Sequence, residues 1–175
     1  DGTGTDDGED AGIPDFQGRI GFCGNLITDE IPASFGIGGY WGQREADIPG
    51  DKQTYTSYAI VGDLVLPISK AFQIYAEAFY GQAMQSYNAG LKNDFNVVTG
   101  EEIPGWGAFV NLHIKPDMKW FIVVGAGIDD PDDKKIPDMI PDGSGGMKSN
   151  KARVKNTSIF VNDRYKLSLI HISEP

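Results

Sequence analysis

The sequence predicts an all-β chain folded as an antiparallel up-and-down meander. Two observations carry this. Apolar and polar residues alternate with a period of two through most of the chain, and the helical period is nearly absent. The connections between the alternating segments are by turns tight and long, as in a meander with turns at one end and loops at the other. Length and composition set the frame: 175 residues make one domain, and 40% hydrophobic residues argue against disorder.

Seven segments show the alternation, at about Phe16–Gly24, Ser34–Gln43, Thr54–Leu66, Phe72–Ala83, Trp106–Ile114, Lys119–Asp129 and Thr157–Leu167. In the third, Tyr58, Ile60, Gly62, Leu64 and Leu66 share a face, and Asp63 lies opposite. In the fourth, Phe72, Ile74, Ala76, Ala78 and Tyr80 oppose Gln73, Tyr75, Glu77, Phe79 and Gly81. The fifth sets Trp106, Ala108, Val110, Leu112 and Ile114 against Gly107, Phe109, Asn111 and His113. The sixth sets Trp120, Ile122, Val124, Ala126 and Ile128 against Phe121, Val123, Gly125, Gly127 and Asp129. Each segment therefore has an apolar face and a mixed face of charges, amides and glycines. Pro67–Ala71 and Lys115–Met118 are tight turns, whereas 84–105 and 130–156 are long loops and 44–53 is an intermediate connection.

Three features favour lipid on the apolar side, giving a partial transmembrane β-barrel of about seven strands. The segments are nine to thirteen residues long, enough to cross an apolar band of about 25 Å when tilted. Aromatic residues of the apolar parity gather at the segment ends. Trp41, Tyr58, Tyr80 and Trp106 fall at the loop end, and Phe72, Trp120 and Tyr165 at the turn end, as membrane-interface belts. The opposite face carries Arg19, Asp63, Glu77, Asn111, His113, Asp129, Asn162, Arg164 and Lys166, which a dry core would not hold but a wet lumen would. An outward Asp163 breaks the pattern, and a place near the rim or a bulge would accommodate it.

The ordered pieces Phe79-Tyr80-Gly81-Gln82 with Tyr87-Asn88-Ala89-Gly90, then Gly105-Trp106-Gly107, Gly125-Ala126-Gly127-Ile128-Asp129-Asp130-Pro131, Lys155–Asn162 and Tyr165-Lys166-Leu167 resemble bacterial outer-membrane porin-type β-barrel proteins. The resemblance covers about residues 16–167. It implies a closed antiparallel barrel around a water-filled pore in the bacterial outer membrane, contacts with the lipid bilayer, passage of small polar solutes or ions, no cofactor, no enzymatic activity and a homotrimer by analogy. The chain departs from the family in lacking a signal peptide, further strands and a last strand ending in an aromatic residue. Those departures, and the even strand number of single-chain bacterial barrels, suggest a fragment of a longer protein.

Other chemistry is weaker. The single cysteine, Cys23, excludes a disulfide framework and a multi-cysteine zinc site, and the two histidines leave little for His-based chemistry. A net charge of −10 argues against nucleic acid as the main partner. That charge sits in two Gly/Pro/Asp-rich stretches: 1–15, an acidic loop, and 129–142, with six Asp against Lys134 and Lys135. Asp129, Asp130, Asp132 and Asp133 are weak Ca²⁺ candidates without the EF-hand spacing; solvated loops are the plainer account. Gly125-Ala126-Gly127 follows an apolar run but lacks the third glycine and the helix of a dinucleotide-binding turn. His113 beside Asn111, near Asp63 or Glu77, would be the only nucleus for a hydrolase. The domain boundaries expected are an acidic start over 1–15, the partial barrel over 16–168 and a non-native tail over 169–175, whose Leu169–Pro175 looks like translated adapter sequence. Two readings stand beside a channel: a structural or adhesive outer-membrane barrel without conductance, and a soluble β-sandwich binding module.

Overall fold

A computed structural model of the chain describes residues 13–27, 29–48, 51–84, 94–115, 119–151 and 154–165. The side chains of 46–48, 51 and 52 lie outside that description, as do Lys166 and the tail. The main architecture is a seven-stranded antiparallel sheet whose first six strands pair in sequence order and whose last joins the sixth across an intervening hairpin. Its strands are β1 (Phe16–Gly24), β2 (Ala33–Ile48), β3 (Asp51–Pro67), β4 (Phe72–Gln82), β5 (Pro104–Ile114) and β6 (Trp120–Pro131), closed off by the last strand. Between β6 and that last strand come a 3-10 turn at Asp133–Lys135 and a small hairpin of β7 (Met139–Pro141) and β8 (Met147–Ser149). The last strand is β9 (Asn156–Tyr165), paired with β6. The sheet is open, with β1 and β9 as its edges. This is the all-β up-and-down meander that the alternation predicts.

Why these segments become strands is visible in the ladder. The β3–β4 register pairs Leu64 with Ala76 and Asp63 with Glu77, so like faces meet across the hydrogen bonds. The β4–β5 register continues this with Ala76 opposite Val110 and Glu77 opposite Phe109. A slip of one residue would send every apolar side chain to the wrong face, which fixes the register. At the turn between β3 and β4, the Ser69 hydroxyl accepts from the backbone N–H groups of Ala71 and Phe72 at 3.2 Å each. That local bond lets a four-residue connection reverse the chain.

Two expectations are corrected at the loop end. Residues 44–53 are not merely a connection: the β2–β3 ladder runs on to the pair Ile48 and Asp51. The alternation is blurred there because Arg44, Glu45 and Gln53 stand beyond the apolar band, where both faces meet water or the loops. The long 130–156 segment is likewise not a bare loop, since it holds the 3-10 turn and the β7–β8 hairpin.

The small buried cluster also lies at this end. Tyr55, 4% exposed, packs with Ala83, and Phe95 lies against them, its ring 5.2 Å from that of Tyr55. Polar ties seat residues 94–103 on the extended β3. Gln53 donates to the Gly100 carbonyl at 3.0 Å, and Glu102 accepts from the Thr56 N–H at 3.0 Å. Gly100 has φ +74° and touches the Gln53 side chain, so this turn needs a residue without Cβ. Arg44 on β2 is clamped by Asp15 through two 2.6 Å hydrogen bonds, which orders the segment ahead of β1.

Candidate functional site

The two faces of the seven-stranded sheet are chemically distinct. The outer face presents Ile20, Phe22, Ile37, Ile60, Val110, Val124, Ile159 and Val161, all exposed; Ile159 is 80% exposed. No second layer covers this face among the described residues, because the only other sheet is the β7–β8 hairpin. Because β2 and β3 run on to Ile48 and Asp51, Trp41 and Tyr58 stand mid-strand and not at strand ends, although register sets them beside other aromatic residues. Phe16, Trp41 and Tyr58 form one row, and Tyr80 pairs with Trp106 in the next. At the turn end Trp120 pairs with Tyr165, their rings 4.9 Å apart, and Phe72 caps β4. On β4, Tyr80 and Phe72 are separated by eight residues. Eight residues span about 26 Å along a strand.

Asp163 sits opposite Ile122 on this outer face, without a bulge. It lies one row inside the Trp120–Tyr165 pair, on the edge strand.

The inner face carries a hollow of about 430 Å³, lined from five strands beyond β2, and Tyr40 of β2 joins them. Its wall includes Val61, Glu77, Phe79, Phe109, Asp129 and Ser158. The ionic side holds this hollow, and a smaller one of about 310 Å³ lies on the apolar side beside Tyr80, Trp106 and Asp130.

Register sorts the inner face into rows. Arg19 reaches across β2 to Asp63 of β3 in a two-pronged pair, with Nη2 2.7 Å and Nε 3.0 Å from the carboxylate oxygens. A Cβ on Gly36, which lies between them, would overlap both partners. The neighbouring glycines act similarly for aromatics. The Phe79 ring reaches over Gly107, and the Phe160 ring over Gly125. Glycine here is the floor on which a large neighbour lies, rather than vacant lumen space.

Not every predicted inner residue joins the hollow. Glu77 and Asp129 line it. Asn111 lies a row nearer the turn end, its Oδ1 buried against the Gly125 backbone without a hydrogen-bond partner among the described residues. His113 lies a further row away and is not beside Asp63 or Glu77. Its ring stacks on Tyr75 at 4.0 Å and meets Phe121 edge-on at 5.2 Å, so the expected His113–carboxylate grouping is not formed. The cause is the register, which puts Gln73 and Val123 opposite His113. Asn162 pairs with Val123 and Arg164 with Phe121, both toward the turn end, while Lys166 lies outside the described residues. Lys115 joins that end, its Nζ 5.5 Å from the Phe121 ring centre.

The acidic candidates diverge. Asp129 points into the hollow, whereas Asp130 is on the opposite parity and pairs with Lys155 at 3.0 Å. Asp132 caps the 3-10 turn by accepting from the Lys134 N–H at 3.1 Å. Among the described residues, no three carboxylate, His or Cys groups converge as a metal cage. Cys23 is free and exposed near the end of β1. Sequence reasoning passed over Tyr40, Phe79, Phe109 and Ser158 as site residues, although their parity already set them on the mixed face.

Comparison of the chain with protein-family models, curated proteins and solved structures finds no match.

Proposed function

We propose that the chain is part of the wall of a bacterial outer-membrane, porin-like channel through which small polar solutes or ions diffuse passively. The observation that carries this reading is a single β-layer with an uncovered apolar outer face and a charged, hollowed inner face. Exposed apolar area of this extent is unfavourable in water, where monomers seldom present more than a few hundred Å² in one patch. In a bilayer the same face is favourable, and aromatic pairs such as Trp120–Tyr165 at the turn end would meet the headgroups. A tilted strand satisfies its backbone through its neighbours, so it needs no helix to cross. In the described residues no helix is long and apolar enough to do so, a fact that leaves β-strand crossing open.

In this reading Arg19, Asp63, Glu77, Asn111, His113, Asn162, Arg164 and Lys166 face the pore. The hollowed side carries acid at mid-strand, at Glu77, and toward the loop end, at Asp129, and base near the turn end, at Arg164 and Lys115. Separated charge along a pore sets a local field that orients polar solutes and tunes ion preference. The long loops would lie at the outer rim, and a homotrimer follows only from the family analogy. No cofactor and no covalent step belong to this function.

The test is conductance. The full-length protein, reconstituted in a planar lipid bilayer, is expected to give stepwise ion currents. Stable membrane insertion without current would overturn the channel in favour of a structural or adhesive barrel. Recovery of the protein in water without detergent, as a monodisperse species, would overturn the membrane placement itself.

A further inference from the structure

We propose that the inner hollow is a binding site for a small organic cation that carries an apolar group. The inference deepens the channel reading by naming a solute class, and it rests on that reading for access of solvent to the inner face.

Two carboxylates and three aromatic rings line the same space. Glu77 on β4 and Asp129 on β6 both face it, with Tyr40, Phe79 and Phe109 around them. Neither carboxylate has an ion pair or hydrogen bond with a described residue. Among the described residues no other inner-face charge pairs with them, although the Arg19–Asp63 pair lies in the same row as Glu77. Arg19 is engaged two-pronged by Asp63, and Arg44 by Asp15. Arg164 and Lys115 lie toward the turn end, beside Phe121.

Two carboxylates without basic partners among the described residues, in a partly enclosed wall, favour a cation over an anion. Aromatic rings favour that cation further, through the negative face of the ring and through contact with an apolar substituent. A hollow of about 430 Å³ matches the size of a one-ring amine more closely than that of a bare metal ion. The glycine floor keeps the rings in place, since Phe79 lies over Gly107 and Phe109 borders Gly127.

The probe is benzylammonium, with benzyl alcohol and benzoate as neutral and anionic counterparts of the same shape. Binding to the full chain in detergent micelles is measured by calorimetry, without any current reading. Saturable binding of benzylammonium is expected, at least tenfold tighter than that of either counterpart. Glu77→Gln and Asp129→Asn should each weaken it about tenfold, and Asp142→Asn, in the distant β7–β8 hairpin, should leave it unchanged. Should Glu77→Gln lose its β-sheet circular dichroism, Asp129→Asn alone carries the comparison. Absence of benzylammonium binding, equal binding of benzoate, or full affinity in a folded carboxylate variant would overturn the site. Currents in a bilayer without such binding would sink this inference and leave the channel standing. Binding without currents would do the reverse.

Discussion

The two faces of the sheet are built from the same strands yet obey opposite rules. On the outer face, aromatic side chains such as Trp120 and Tyr165 touch within the layer, but no covering layer meets it among the described residues; Ile159 and Val161 on β9 are both largely exposed. On the inner face, side chains lie across the sheet onto glycines, and charge is paired or set around a hollow. Arg19, for example, crosses Gly36 to reach Asp63. The difference teaches that the outer face depends on a solvent that the chain itself does not supply, whereas the inner face is organised internally.

The largest effect should come from reversing polarity on adjacent residues of β9. Ile159, opposite Ala126, faces outward, and Ser158, opposite Gly127, faces inward. Ile159→Arg is expected to destabilise the protein folded into lipid vesicles by about 2–4 kcal/mol, the cost of a cation on the lipid side near mid-membrane. Ser158→Arg should cost under about 0.5 kcal/mol, since its charge reaches water. Urea titration followed by tryptophan fluorescence reads both. Equal costs would erase the distinction between the faces and with it the membrane placement.

A smaller effect should separate glycines of the two faces. A Cβ at Gly107, on the inner side, would meet the Phe79 ring and, at 2.9 Å, the Ile128 carbonyl oxygen. The ring can swing away; the backbone oxygen belongs to the ladder and cannot move freely. Gly107→Ala should therefore destabilise by about 1–3 kcal/mol. At Gly18, on the outer side, a Cβ meets nothing within 4 Å. Gly18→Ala should be neutral or stabilise by up to about 1 kcal/mol, by restricting the unfolded chain. The same urea titration distinguishes them, and a matching cost at both sites would mean that the inner glycines are not a packing device.

How far these faces were legible in advance depended on whether the information was local. Period-two alternation assigns Glu77 and Ile74 to opposite faces from β4 alone, and the strand bounds of β1 follow the pattern residue for residue. Placing His113 near a carboxylate failed because proximity across strands depends on register, which the β4–β5 connection and the rows of apolar partners determine together. The extension of β2 and β3 to Ile48 and Asp51 was hidden for a related reason. Beyond the apolar band nothing forces alternation, so a long ladder there carries no periodic mark. Phe79 and Phe109 were legible by parity, but their role in a wall around Glu77 and Asp129 needed the sheet geometry that sets several strands around one hollow.

The comparison extends, at its weakest, from the sheet to the loop end. In the β7–β8 hairpin, Asp142 Oδ1 accepts from the N–H groups of Ser144 at 2.8 Å and Gly146 at 2.9 Å. Gly143 and Gly145, both with positive φ, let the chain wrap around that carboxylate. The Ser144 bond first, then the Gly146 bond, holds the Asp142 carboxyl below its ordinary range. The sign follows from linkage: a depressed folded pKa stabilises the turn above the unfolded value of about 3.9, and the contribution disappears as pH falls through the lower folded value. The amide resonances of Ser144 and Gly146 should therefore hold steady from neutral pH down to about 4, then shift together below it. Asp142→Asn should abolish that coupled shift while the β-sheet circular dichroism stays unchanged, because the turn lies apart from the ladder that unites the seven strands. Loss of sheet signal in this variant would show that the hairpin and the wall are one cooperative unit, and the separation drawn between them would fail.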